Sequence, residues 1–231
     1  MRTIGLIGGM SWHSTATYYR LVNEEIQRRL GGHHSAELVL WSVDFAEIER
    51  LQVEDRWDDA GEILADAARA LERAGAEVFA LCTNTMHKVA DAVTAAVDLP
   101  FVHLADVTAD AVRAGGIERV ALLGTAFTME QPFYRERLAS HGLDVLVPEA
   151  DDRAEVHRVI FDELVHGVVD DGSRRRYQDV IGRLVESGAD GVILGCTEIE
   201  LLVGPDDCPV PTFATTALHA HALVDAALAT G

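Results

Sequence analysis

Ala74–Thr85 reads AGAEVFALCTNT, and Ser187–Glu198 reads SGADGVILGCTE. Each stretch runs from a glycine that can end a helix, through a short apolar segment, into a polar turn. Gly75 stands over Gly188, Ala76 over Ala189, Glu77 over Asp190 and Leu81 over Leu194. Two further pairs of segments align in the same order and at nearly the same offset. TIGLIGGMSWHSTATYY matches RVALLGTAFTMEQPFY, with Gly8 over Gly124 and Tyr18 over Tyr134. LPFVHLADVTADAV matches VPTFATTALHAHAL, with Pro100 over Pro211 and Ala109 over Ala220. Self-similarity that keeps order and nearly keeps offset is the mark of a duplicated domain with small loop insertions.

Working outward from this repeat, short apolar runs alternate with longer helical patterns. Strands are expected at Thr3–Ile7, Glu37–Val43, Val78–Leu81, Phe101–His103, Val120–Leu123, Asp144–Leu146, Gly191–Leu194 and Thr212–Phe213, with helices such as Ser14–Leu30 and Trp57–Arg73 between them. That alternation predicts an α/β fold with mostly parallel sheets. Duplication makes it two pseudo-symmetric domains with a cleft between them. Ligands of open α/β sheets bind beyond the carboxyl ends of the strands. Both copies put polar tripeptides there, Thr83-Asn84-Thr85 and Cys196-Thr197-Glu198. Matching groups that face one substrate from opposite sides suit removal of a proton from one face and its return on the other.

The 231 residues are 48% hydrophobic, enough for a sizeable core. Nineteen Lys and Arg stand against 38 Asp and Glu, a net charge of −19. So acidic a surface argues against nucleic acid or an anionic membrane as a partner. The three cysteines, Cys82, Cys196 and Cys208, are expected to be reduced thiols of a cytoplasmic protein. The first apolar run is too short for a secretory signal, and no run is long enough to span a membrane.

GCTEIELL, Gly195–Leu202, puts a thiol between a strand end and a helix start. A helix N-terminus lowers a thiol pKa from its usual value of about 8.5, so Cys196 is expected to ionise near neutrality and act as an acid/base. The alternative is a buried structural cysteine. In CTNTMHK, Cys82–Lys88, the residues Thr83, Asn84 and Thr85 can offer hydroxyl, amide and backbone donors to a carboxylate; an ordinary helix cap is the plainer reading. Lys88 is the only lysine and is expected on a solvated helix face. Cys208, in GPDDCPV, lacks a helix terminus to activate it. GLIGGM is not the G-x-G-x-x-G dinucleotide fingerprint, and no P-loop or G-x-S-x-G elbow occurs. His219 and His221 point apart on a helix and cannot share a metal. His33-His34 reads as an exposed loop pair, and Tyr18 and Tyr134 as core.

Gly8-Gly9-Met10, the Cys82–Thr85 turn, the Gly124–Tyr134 stretch and the GCTE turn together resemble the aspartate/glutamate racemase family, over nearly the whole chain. The resemblance implies a homodimeric enzyme that moves a proton at the α-carbon of an amino acid without pyridoxal phosphate, other cofactor or metal. It implies a first domain of residues 1–98 plus about 213–231 and a second of 99–212, the last strand and helix crossing back. Two facing thiols are usual. Here the repeat register sets Thr83, not Cys82, opposite Cys196, so the catalytic pair is expected to be Cys196 and Thr83. The one-residue slip turns Cys82 towards the packed side. A subgroup with MSW and CTNTMH in these places looks closest, and it favours acidic amino acids of L configuration. The resemblance places Met10, Asn84, Thr85, Thr197 and Glu198 at the substrate, with Gln52 and the region of His166 near its distal carboxylate. His13 and Ala214 stand where acidic residues are expected. His219 keeps its place, either as a functional group or as a satisfied helix histidine. A single-thiol decarboxylase or cis–trans isomerase of a dicarboxylate, and a silent amino-acid-binding protein, are the competing readings.

Overall fold

The computed structural model describes residues 1–229. The elements run in the order β1 (Ile4–Gly8), α1 (Trp12–Leu30), β2 (Leu38–Ser42), α2 (Phe45–Val53), α3 (Trp57–Arg73) and β3 (Val78–Leu81). A 3₁₀ turn (Thr85–Val89) leads into α4 (Ala90–Thr94) and α5 (Leu104–Ala114). Then come β4 (Arg119–Gly124), α6 (Ala126–Glu130), α7 (Pro132–Ser140), β5 (Asp144–Leu146), α8 (Ala150–Asp162) and α9 (Asp171–Glu186). The chain closes with β6 (Gly191–Gly195), α10 (Ile199–Leu202), β7 (Thr212–Ala214) and α11 (Thr215–Leu228). It divides into two units, Met1–Leu104 with the residues from His219 on, and Ala105–Leu218.

The sheet of the first unit has the order β2-β1-β3, all parallel, and a lone parallel bridge joins Phe79 to Phe101 beyond β3. The sheet of the second has the order β5-β4-β6-β7, again all parallel. The repeat seen in the sequence is therefore a repeat of topology, with the Phe101 bridge in the place that β7 takes in the second unit. Residues 101–103 were expected to form a strand; one bridge is what they make. The chain also crosses back later than residue 213. β7 pairs with β6, Ile193 opposite Phe213 and Leu194 opposite Ala214, and only from His219 does α11 belong to the first unit.

The central strands read as unbroken apolar runs because helices cover both faces of a parallel sheet. All of β1, IGLIG, is buried, as are all of β3 and β6. The core of the first unit gathers Ile4, Leu6, Val78 and Ala80 with Tyr18, Val22 and Ile26 of α1 and Leu223 and Val224 of α11. That of the second gathers Ala121, Leu123, Val192 and Leu194 with Val156, Ile160, Tyr177 and Ile181. Tyr18, Tyr134 and Tyr177 are wholly buried core residues.

The turn after β1 explains Gly8-Gly9. Ser11 caps α1 by accepting from the Ser14 N–H at 3.3 Å. Thr15 donates its hydroxyl to the Ser11 carbonyl at 2.8 Å and accepts the Gly9 N–H at 2.8 Å. Gly9 has φ +95°, and a Cβ there would lie 2.2 Å from the Val43 carbonyl oxygen. Any side chain meets both a left-handed backbone and a backbone clash. Gly9→Ala is expected to cost about 2–4 kcal/mol, read as a lowered urea midpoint at unchanged slope. A midpoint near the native one would contradict this account of the turn.

Candidate active site

Both polar turns leave the carboxyl ends of central strands. In the first unit the Cys82 N–H continues the ladder by donating to the Ile7 carbonyl at 2.9 Å. The Cys82 side chain is wholly buried in that unit's core, and burial pushes its thiol far above the ordinary range. Thr83, the next residue, is half-exposed, whereas Asn84, Thr85 and Met86 are buried. Gln52, at the end of α2, is buried, and its amide donates to the Met86 sulfur at 3.0 Å. Met10 is buried at the carboxyl end of β1, the strand beside β3. The first unit thus collects Met10, Gln52, Thr83, Asn84 and Thr85 at one end of its sheet.

In the second unit, Gly195 ends β6 where a Cβ would lie 2.7 Å from the Leu123 carbonyl oxygen. Glycine lets β6 run flush against β4 up to the cysteine. Cys196 is partly buried, and its thiol donates to Glu198 Oε2 at 3.0 Å. Burial first, and then the charge and hydrogen bond of Glu198, hold the thiol well above its ordinary pKa; the backbone N–H groups of Glu198 and Ile199 pull the other way and lose. This corrects the expectation of a thiolate near neutrality. α10 has only four residues, too short to focus much positive potential, and the carboxylate two residues on outweighs it. Glu198, expected at the substrate, is thus occupied by the thiol.

Thr197 accepts the Thr216 hydroxyl at 2.9 Å. Thr215 donates its hydroxyl to the Leu194 carbonyl at 2.9 Å, and the Thr216 N–H bonds Glu200 Oε1 at 3.3 Å. The start of α11 therefore clasps the GCTE turn. Sequence reasoning looked at Ala214, which pairs with Leu194 in β7, and missed its two neighbours. The signal available was the Thr-Thr pair at a helix start. His166 is exposed, in a 3₁₀ turn (Leu164–His166) that lies against α10. His13 is exposed and packed on Trp12, ring centroids 3.5 Å apart.

A model of the Asp/Glu/hydantoin racemase family matches residues 7–223. The chain belongs to that family. It is similar to a candidate Asp/Glu racemase from Yersinia pestis, with 51% identity, TM-score 0.94, and 99% of this chain and 100% of that one covered. An aspartate racemase homologue from Pyrococcus horikoshii OT3 shares 36% identity and a TM-score of 0.85, over 98% of this chain and 99% of that one. The broad-specificity amino-acid racemase RacX of Bacillus subtilis strain 168 is 21% identical over 98% of both chains.

Three other groups in this racemase-family chain have settled roles. His219 is wholly buried; Nε2 must donate to the Val102 carbonyl at 2.8 Å, so Nδ1 accepts the Tyr18 hydroxyl at 2.8 Å. Burial brings its pKa down to about 4, and it is a neutral, satisfied helix histidine. Lys88 lies over the Trp57 ring, 3.7 Å from its centroid, rather than on an open face. Cys208 is partly buried and pushed up to about 11, by burial and then by Asp207. Among the described residues, no group of three or more His, Cys, Asp or Glu is placed to hold a metal.

Glu200 is the most unusual acid of the second unit. Burial raises its pKa to about 7, against the hydrogen bonds of Thr216, and the Glu198 charge adds to the rise. A carboxyl whose folded pKa lies above its unfolded one stabilises the fold while protonated. That contribution is complete below pH 4.5 and is lost as the pH climbs to about 7. Glu200→Gln is expected to remove this fall, worth on the order of 1–3 kcal/mol, in urea unfolding compared at pH 5 and pH 8. Equal pH dependence in the two proteins would refute the assignment.

Proposed function

We propose that this family member is an amino-acid racemase that acts on aspartate or glutamate without a cofactor. Cys196 is the acid/base for one face of the α-carbon, and Thr83 serves the other. The observation that carries the reading is the hydrogen bond from Cys196 to Glu198. A protonated thiol cannot take up an α-proton. It becomes a base by passing its own proton to the carboxylate: the S–H bond breaks, an O–H bond forms on Glu198, and the thiolate then takes hydrogen from carbon. The electron pair left on carbon spreads into the substrate carboxylate. Cys196 and Glu198 together hold one negative charge until the α-proton is taken, when the pair becomes neutral and the charge passes to the substrate, so the total buried charge does not change on the way.

The carbanion needs donors aimed at the carboxylate on which its charge accumulates. Asn84, Thr85 and Thr197 are the neutral donors for that role, with Met10 and Gln52 shaping the remaining space and His166 near the distal carboxylate. In a chain of net charge −19 an acidic substrate meets repulsion at long range, so these donors must offset it locally with N–H and O–H dipoles aimed at the carboxylate. A threonine hydroxyl is too weakly acidic to be a resting base. Thr83 acts by relaying a proton to and from water, so the two faces are unequal and inversion is slower than exchange by Cys196. The resemblance to RacX and to the Pyrococcus aspartate racemase homologue supports the amino-acid class. No helix of the described residues is long and apolar enough to cross a membrane. Exposed Leu40 and Trp41 on the edge strand β2 fit a homodimer.

The test is α-deuteration of aspartate and glutamate in D₂O, followed by NMR. Cys196→Ser is expected to lose about 10²–10⁴-fold, while Cys208→Ser stays near native. Thr83→Cys should speed reaction in the slow direction and leave the equilibrium between enantiomers at unity. Equal activity of the two serine variants would sink the thiol assignment. Loss of a carboxyl in place of deuteration would move the chain to another reaction.

A further inference from the structure

His87, in the CTNTMHK stretch, carries no proton in the reaction above, yet it is tied to Thr83. It lies in the 3₁₀ turn Thr85–Val89 and is buried. β3 stops at Leu81, and the ladder ends with the Cys82 N–H on Ile7, so Thr83 lies beyond the reach of the sheet. A 3₁₀ turn bonds three residues back, and the His87 N–H accordingly goes to the Asn84 carbonyl at 3.1 Å. The His87 ring reaches the carbonyl one residue earlier, with Nδ1 2.8 Å from Thr83 O. Its other nitrogen, Nε2, accepts the Leu104 N–H at 3.2 Å. Leu104 opens α5, and a helix start leaves its first N–H groups without intrahelical partners.

These two bonds fix the ring's protons. A carbonyl can only accept, so Nδ1 carries the hydrogen; an amide N–H can only donate, so Nε2 presents its lone pair. The imidazole is neutral and in one tautomer. It packs against His103, with ring centroids 4.7 Å apart, against Phe101 at 5.6 Å and against His219 at 6.0 Å. His219 is itself neutral and bonded at both nitrogens, as described above. A rigid ring thus joins the backbone of Thr83 to the first residue of a helix. A hydroxyl that relays a proton works only when its oxygen is placed closely, and the main chain of Thr83 sets that place.

We propose that His87 is the positioning residue of Thr83: its neutral ring holds the Thr83 carbonyl to the start of α5 and so places the Thr83 hydroxyl for proton transfer. The inference rests on the reading of Thr83 as the second acid/base group. Two variants divide the ring's functions. In His87→Asn, Nδ2 stands where Nδ1 stood and can still donate to Thr83. In His87→Gln, the longer amide reaches the Nε2 place and can accept from Leu104, but the bond to Thr83 is gone.

The experiment compares α-deuteration in D₂O from each enantiomer of aspartate and glutamate, for the native protein, Thr83→Ala, His87→Asn and His87→Gln, with a thermal melt of each. Thr83→Ala should slow one enantiomer selectively. His87→Gln should slow that same enantiomer about tenfold or more, through kcat rather than KM, and leave the other within about threefold. His87→Asn, which loses only the tie to Leu104, should move the ratio between enantiomers less than His87→Gln does. If Thr83→Ala is selective but the two His87 variants slow both enantiomers alike, in step with their melting temperatures, His87 is merely structural and the inference is overturned alone. If Thr83→Ala shows no selectivity, or the native protein deuterates neither amino acid, the reading of Thr83 falls first and the inference with it.

Discussion

The thiol of Cys196 and the carboxylate of Glu198 lie 3.0 Å apart on one turn, and that bond decides what this site can do. A lone thiolate at a strand end would be a standing base. In the proposed reaction, a thiol beside a buried carboxylate is a paired system with one mobile proton, held by whichever partner the step requires. The surrounding structure serves that pair. Gly195 brings β6 flush to its neighbour, Thr215 ties Leu194 of β6 and Thr216 ties Thr197, and Glu200 sits where its charge depends on pH. The first unit's turn is built differently: its cysteine is turned into the core and its threonine is held through an imidazole.

Much of this was legible in the sequence, for a physical reason. Parallel strands buried on both faces must be continuous apolar runs, so Val78–Leu81 and Gly191–Leu194 announced themselves, and duplication doubled the signal. The one-residue slip between Cys82 and Cys196 was also readable, because side chains alternate along a strand. Cys82 is wholly buried in the core. Where the chain crosses back was not readable. β7 needs β6 as its partner, and nothing local to Thr212–Ala214 distinguishes a strand that stays from one that leaves.

The protonation state of Cys196 was misjudged by local reasoning for a related cause. A strand–thiol–helix pattern suggests activation by a helix terminus, but the pattern does not show that the helix has four residues or that Glu198 turns its carboxylate back on the sulfur. Thr216 and Glu200 are separated by 16 residues, and no motif joins them. His87 stands four residues from Thr83, a spacing that suggests an ordinary helical neighbour. Only the 3₁₀ geometry of the turn gives its ring the carbonyl that a backbone N–H would take in an α-helix.

The central claim is that Cys196 rests as a thiol, held so by burial and then by the facing Glu198, and it is tested most directly by titrating that thiol. The rate of iodoacetamide alkylation of Cys196, read by mass spectrometry in a Cys208→Ser background, follows the thiolate fraction as pH rises. The account predicts slow alkylation at pH 7 that is still climbing at pH 9, and a curve shifted to lower pH in Glu198→Gln. A plateau already reached below pH 7, unchanged by Glu198→Gln, would show a standing thiolate and contradict it.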